Sequence, residues 1–340
     1  MKHEERYGLR HMSVWLCLTF VMLHFSFLCA QDTLTVTFTG DILLDRGVRR
    51  AIEMRGIDHL FSPSVDSVFS RSDYVVGNLE CPATSIRQPV FKRFIFRAEP
   101  EWLTALKRHG ITHLNLANNH SIDQGRNGLR DTWENIRRAG MVPFGAGSTM
   151  DEAAQPLLLA DHPRRVYLLA SLQMPFENYT YLPSEPSVSM LTIDSLVAAI
   201  SRLRQHDPSS CIVVCLHWGA EHKLQPTPWQ RMQAHRLLSA GADCLIGHHT
   251  HTLQTIEQFR GKSIYYSIGN FIFDQMQPLN SRACMVRLRI TADRVWAETI
   301  PVDIRRCVPH VEASPQKSLY SPAHTVEAEK LRLNVGQGNP

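Results

Sequence analysis

From Leu34 the chain alternates short apolar runs with longer segments whose apolar residues recur at helical spacing. Leu34, Val36 and Phe38 alternate with threonines, the period of two that marks a half-buried strand. Runs at 73–76, 111–116, 166–170, 212–216, 244–246 and 264–266 read as further strands. Between them lie helices with recognisable ends. Pro100 opens one that stops at Gly110, and Leu129, Trp133 and Ile136 form an apolar stripe ended by Gly140. Thr227 and Pro228 are an N-cap and first-turn pair for a helix closed by Gly241. Strands alternating with helices of this length predict an α/β fold. After Phe273 the runs 284–290 and 295–302 read as a closing β-hairpin. Beyond about Ala313 the chain is polar with scattered prolines, which predicts a flexible tail over 313–340.

The polar residues are placed less evenly than the apolar ones. Six strands run into polar groups at their carboxyl ends: Asp41 after Gly40, Asn78 and Glu80 after Gly77, Asn118 to His120, His217 with Glu221, the Gly247–His251 segment GHHTH, and Ser267 with Asn270. In open α/β sheets the crevice beyond those ends is where ligands bind. Singly, each group has a bland reading. An Asp after a strand is more often a helix N-cap, and a paired Asn is more often a turn. Together they describe a metal or anion site. Imidazole nitrogens with carboxylate and amide oxygens suit Zn, Mn or Fe, and two such ions about 3.5–4 Å apart can generate a nucleophile and hold a phosphoryl or acyl oxygen. In an extended segment His249 and His251 would face the same side and His248 the other.

Composition narrows the class. Of 340 residues, 44% are hydrophobic, and the 36 basic and 32 acidic residues leave a net charge of +4 without a long run of one sign. No nucleic-acid partner is indicated, since such a surface gathers its basic residues into a stripe. Lys2, Arg6 and Arg10 precede an apolar stretch over 14–28 closed by Ala30, the layout of a signal peptide over 1–30. An uncleaved anchor or lipidation at Cys29 are the alternatives, and only those would bring membrane association. Export to the periplasm or cell surface is therefore expected. Eight cysteines would suit disulfides in that setting. However, Cys211 and Cys215 share one strand, where residues four apart lie about 13 Å from each other, and cannot pair. They and Cys244 read as buried small hydrophobes.

The successive blocks TFTGDILLDR, VVGNLECP, ANNH, CLHWGAEH and GHHTHTLQTIEQFRGKSIYYSIGNFIFDQ resemble those of the CapA (poly-γ-glutamate capsule biosynthesis) family, from about Leu34 to Gln275. That family is similar to the calcineurin-like metallophosphoesterases. The resemblance implies a single catalytic domain over 33–312, an α/β/β/α sandwich with a divalent-metal centre of one or two ions. It also implies Asp41, Glu80 (the bridging carboxylate), Asn119, His217, His249 and His251 as metal ligands, with His120 as the proton-transferring residue. Lys92, Arg97 and Glu221 stand on the substrate side. Two motifs depart from the phosphoesterase pattern: Asp-x-His is Asp41-Ile42-Leu43, and GDxxD is reduced to GNLE. One metal is thereby a ligand short unless Asp45 substitutes. The implied activity is hydrolysis or transfer on an anionic capsule or envelope polymer or a phosphoester, alongside capsule-assembly proteins. The alternative is a non-catalytic, polymer-binding component of the export or anchoring assembly.

Overall fold

Strand β1 (Leu34–Ile42) organises the molecule, because its two halves pair with different partners. It opens a first sheet that continues through α1 (Arg46–Arg55), α2 (Pro63–Phe69), β2 (Tyr74–Leu79), α3 (Leu103–Arg108), β3 (His113–Asn115), α4 (Gly125–Arg138) and β4 (Val142–Phe144). A small ribbon strand β5 (Ala146–Gly147) and a short helix α5 (Met150–Ala153) follow. The second sheet begins with β6 (Leu157–Ala160) and β7 (Val166–Leu172), after which β8 (Ser187–Val188) pairs back to β5. It continues through α6 (Ile193–His206), β9 (Cys211–His217), α7 (Pro228–Ala240), β10 (Cys244–His248), β11 (Ile256–Phe259) and β12 (Lys262–Tyr265). The chain then returns to the first sheet as β13 (Asn270–Ile272), β14 (Arg282–Ile290), β15 (Val295–Arg305) and β16 (Val308–Val311). This computed structural model describes residues 32–312 apart from Tyr181 and Met276. The leader over 1–30, the tail over 313–340, Cys17 and Cys29 lie outside the described residues.

The first sheet has the order β16-β15-β14-β1-β2-β3-β4, with β13 pairing against the end of β1. The second has the order β11-β12-β10-β9-β7-β6. Side chains alternate faces along each strand, and the core divides accordingly. Val36 and Phe38 of β1 meet Val213 and Cys215 of β9 and Ile246 of β10 in a layer between the sheets. Ile212, Val214 and Leu216 of β9 face outward onto Leu196 and Ile200 of α6 and Leu237 of α7. On the far side of the first sheet, Val75 and Leu79 pack with Val48 of α1, Val65 of α2, Leu106 of α3 and Leu129 of α4. The result is the expected α/β/β/α sandwich.

Cys211, Cys215, Cys244 and Cys284 all belong to the inter-sheet layer and carry free thiols, which burial holds above the ordinary cysteine range. They pack as small apolar groups. The hairpin at 284–302 is longer than its sequence pattern suggests and gains β16 as a third strand. Two elements stand outside the sequence expectations. One is α6, which Thr192 caps through a hydrogen bond to the Ser195 amide. The other is β13, which does not extend the preceding strand but crosses to β1 in the other sheet.

Two glycines permit that crossing. A Cβ on Gly40 would stand 2.1 Å from the Gly269 carbonyl oxygen, and one on Gly247 only 1.9 Å from that of Tyr266. Any other residue at either position forces the backbones apart. The close approach sets the register, which places Asp41 opposite both Asn78 and Asn270. In the second sheet it places His248 opposite His217.

His113 on β3 gives the fold a measurable pH dependence. Burial pushes its pKa down to about 4, with the nearby Lys107 charge adding to the effect. An unfolded chain binds a proton below about 6.5 that the folded chain refuses, so His113 costs stability as pH falls from 6.5 through 4. The difference in thermal midpoint between the wild type and His113→Gln is expected to narrow, then change sign, across that window. A difference that stays constant from pH 7 to pH 4 contradicts it.

Candidate metal centre

All the expected ligands except Asn119 are buried, and they converge where the two sheets meet. Asp41 and Glu80 end β1 and follow β2; both are essentially inaccessible to solvent. Asp41 Oδ1 accepts a 2.8 Å hydrogen bond from Asn78 Nδ2, and Oδ2 accepts one of 3.3 Å from the His249 amide. His217 Nε2 lies 3.7 Å from Glu80 Oε1, and His251 Nε2 lies 3.9 Å from the same atom. Two groupings have ligand atoms within 4.8 Å of one another: Glu80 with His217 and His249, and Asp41 with Glu80 and His251. Glu80 is common to both, the position of a bridging carboxylate.

Glu80 is also the group left unsatisfied. Neither of its buried oxygens has a hydrogen-bond partner. Burial, then the negative charge of Asp41, raises its pKa well above the usual carboxylate value. Burial acts on Asp41 in the same direction, but the imidazoles of His248 and His251 outweigh it and hold that carboxyl well below its usual value. The histidines divide likewise. Burial lowers His251, yet Glu80 and Asp41 overcome it and lift the pKa to about 9. Burial and the His251 charge bring His249 down to about 4, and burial with His249 holds His217 well below the histidine range. The lowered imidazoles of His217 and His249 beside Glu80, a carboxylate without a donor, form the donor set that a divalent cation completes.

The geometry differs from the extended picture of GHHTH. His249 and His251 have φ of 93° and 56°, so the segment coils after β10 and does not continue as strand. Both rings nevertheless reach the cluster. His248 does not point away: its Nδ1 stands 3.1 Å from Asp41 Oδ1, an ion-pair contact. Such left-handed backbone at non-glycine residues costs about 1–3 kcal/mol each and gathers at functional sites.

Asn119 and His120 sit in the loop after β3. Asn119 Oδ1 lies 2.9 Å from His217 Nε2, which brings it to the cluster. His120 stands beside it, its Nδ1 2.8 Å from Asp123 Oδ2 and its ring tilted by 31° against Phe96 with centroids 4.2 Å apart. The loop is shaped by Asn118, whose Oδ1 accepts from the His120 amide while its Nδ2 donates to the Leu79 carbonyl.

The remaining expectations take other places. Asp45 is no substitute ligand: it caps α1 and accepts from the Arg46 and Arg97 amides and from Arg49. Lys92 is not displayed to substrate. Its ammonium is buried, bonded to Asp123 at 2.8 Å and to the Asn119 carbonyl at 3.0 Å. Arg97 is buried too, paired with Glu99 and donating to the Thr84 carbonyl. Glu221 is exposed on the loop after β9, its carboxylate 3.7 Å from His222. Three residues without an expected role hold the expected ones: Asn78 on Asp41, Asp123 on His120, and Asn270, whose Oδ1 lies 2.9 Å from His251 Nδ1. Asp123, three residues after His120, and Asn270, at a strand end, were the visible signals.

Fold and site together define an α/β/β/α sandwich with a carboxylate–imidazole centre at the carboxyl ends of its strands. The profile of the bacterial capsule synthesis protein family PGA_cap matches residues 35–275, and the chain belongs to that family. It is 29% identical to the PGA biosynthesis protein CapA of Bacillus subtilis (strain 168), over 91% of this chain and 84% of that one. It is 30% identical to the capsule biosynthesis protein CapA of Bacillus anthracis, over 82% and 69%. A probable polyglutamine synthesis accessory protein of Mycobacterium tuberculosis (strain CDC 1551 / Oshkosh) is 31% identical over 60% of this chain and 56% of its own. Among solved structures, a 5'-nucleotidase precursor from Thermus thermophilus superposes with a TM-score of 0.46 at 14% identity, covering 82% of this chain and 55% of that one.

The shared position of Glu80 yields a direct expectation for metal content. Glu80→Gln should lower bound divalent metal more than alanine at His249 alone, because it touches both groupings. Elemental analysis of the purified variants reads this out. Wild-type stoichiometry in Glu80→Gln would show that the cluster is not a metal site.

Proposed function

We propose that the protein is a divalent-metal-dependent hydrolase or transferase acting on an anionic polymer or phosphoester of the cell envelope. The observation that carries this reading is the Glu80 carboxylate, buried without a hydrogen bond among His217, His249 and His251. Burying a carboxylate that way costs several kcal/mol, about what a desolvated unpaired ion costs, unless a cation completes it. Asp41, Glu80, Asn119, His217, His249 and His251 would hold that ion. A divalent ion so held supplies Lewis-acid polarisation of a phosphoryl or acyl oxygen.

The chain's own residues supply the rest. Asp123 fixes the His120 ring through Nδ1, so Nε2 is the nitrogen that exchanges a proton with the reacting group. Burial lowers the His120 pKa against the raising influence of Asp123, which suits a ring that changes protonation during turnover. Phe96 covers one face of the ring, and the Lys92 ammonium ties Asp123 to the Asn119 carbonyl. A shift at Lys92 would therefore move a proposed ligand and the proton-transfer group together.

The name of the Bacillus subtilis relative, a PGA biosynthesis protein, supports poly-γ-glutamate as the polymer. The leader pattern over 1–30 favours an exported protein that meets the polymer outside the cytoplasm; N-terminal sequencing reading Gln31 supports that, and Met1 on cytosolic material opposes it. The accessory-protein name of the mycobacterial relative favours a second reading, in which the chain binds polymer without turning it over.

His120→Asn separates the two readings. The variant is expected to fold, retain its metal and lose about 10²–10⁴-fold in turnover, the usual contribution of a positioned acid–base group. Thermal melting, elemental analysis and rates on a phosphoester panel and on poly-γ-glutamate, all from one preparation, report the outcome. If the variant melts early and its folded fraction turns over at the wild-type rate, His120 is structural.

A further inference from the structure

The loop leading to Lys92 and the first turns of α4 border an open cavity of ≈ 550 Å³, outside the metal cluster, lined by Gln88, Phe91, Arg126, Asn127, Arg130 and Tyr179. That is within the usual size of ligand pockets. Its walls are tied together: Asn127 Nδ2 donates to Gln88 Oε1 at 3.1 Å, and Arg126 Nη1 donates to the Tyr179 hydroxyl at 2.8 Å. Arg126 also donates to the Thr180 carbonyl at 2.6 Å and lies 4.7 Å above the Tyr179 ring.

What the cavity lacks is negative charge on its cations. Among the described residues Arg126 has only neutral partners, and its Nε is buried without one. Arg130 is exposed and forms no ion pair among the described residues. Glu185 lines the same cavity, and among the described residues no ion pair joins it to either arginine. Two guanidinium groups without an acidic partner among the described residues thus border one space, Arg126 held in place by Tyr179 and Thr180 and Arg130 with its planar fork suited to a carboxylate. Residues 126 and 130 are four apart on α4, one turn along the same face with Cβ atoms about 5–6 Å apart. That separation fits two successive carboxylates of a chain better than two oxygens of one small anion. Phe91, 85% exposed at the rim, offers an apolar surface for the methylene groups between them.

The cavity shares a wall with the reaction site. The Val90 amide donates to the Asp123 carbonyl at 3.0 Å, and Lys92, two residues on, pairs with the Asp123 carboxylate. The segment that bounds the cavity is therefore the one that holds Asp123, and through it His120.

We propose that this cavity is a subsite for a polycarboxylate chain, with successive carboxylates on Arg126 and Arg130 while another stretch of the same polymer lies at His120. The proposal rests on the anionic-polymer reading above. Calorimetric titration of the full chain with poly-γ-glutamate of defined length, at low and at moderate salt, tests it. Wild type is expected to bind, more weakly at higher salt, and Arg130→Glu to weaken binding about tenfold or more, as expected for replacing an attractive charge contact with a repulsive one. Arg126→Lys, which keeps the charge and loses the fork, should weaken it less, and melting curves confirm that both variants fold. Unchanged affinity in a folded Arg130→Glu overturns the subsite and leaves the polymer reading standing. Tighter binding of inorganic polyphosphate than of poly-γ-glutamate overturns the carboxylate assignment. If the wild type binds no poly-γ-glutamate, the subsite and the polymer class fall together, whereas the His120→Asn result bears on the reaction alone.

Discussion

Two carboxylates buried side by side are the constraint on which the rest of the site depends. Asp41 and Glu80 are both solvent-free, and their like charges cannot coexist there without compensation. Asp41 gains it from Asn78, the His249 amide and the nearby imidazoles. Glu80 gains no hydrogen bond from the protein, only the longer ion-pair contacts of His217 and His251. Stability alone would favour apolar residues at such a position, so the arrangement points to a ligand of positive charge. The opposed shifts of His249 and His251 follow from burial acting on both rings, which the His251 charge reinforces at His249 and which Glu80 and Asp41 overcome at His251.

The sandwich exists in a form that makes this pairing obligatory. Gly40 and Gly247 let backbone from the second half of the chain approach the strand ends closely, and β13 leaves the second sheet to lie against β1. Candidate ligands carried by different sheets are thereby brought to one point: Asp41 and Glu80 from the first, His217 and the coil after β10 from the second. The cysteine-containing apolar layer behind them keeps the sheets at a fixed spacing. His120 lies outside the ligand set and is positioned separately, by Asp123 and Lys92.

Much of this was legible in the sequence. A period-two pattern located β1 and continuous apolar runs located β7, β9 and β10, and the polar groups that end the strands named the residues that meet at the cluster, because a strand's last residues project where the sheet stops. The coil at His249–His251 was not legible, since two non-glycine residues with positive φ carry no periodic signature. Nor were the buried roles of Lys92 and Arg97: a charge looks the same in sequence whether it faces solvent or a buried carboxylate. Asp45 follows the same rule, because an acidic residue one turn from a strand end serves equally as ligand or helix cap until the helix is placed. The return of β13 to the first sheet depends on a long-range pairing that no local pattern encodes.

Anomalous scattering from crystals of protein loaded with zinc or manganese tests the central claim most directly. The account predicts a peak within bonding distance of a Glu80 oxygen, at about 2.0–2.3 Å, with His217 and His249 or Asp41 and His251 completing the shell. Crystals grown with excess metal that show no peak at Glu80, its carboxyl instead hydrogen-bonded to protein or water, would contradict it.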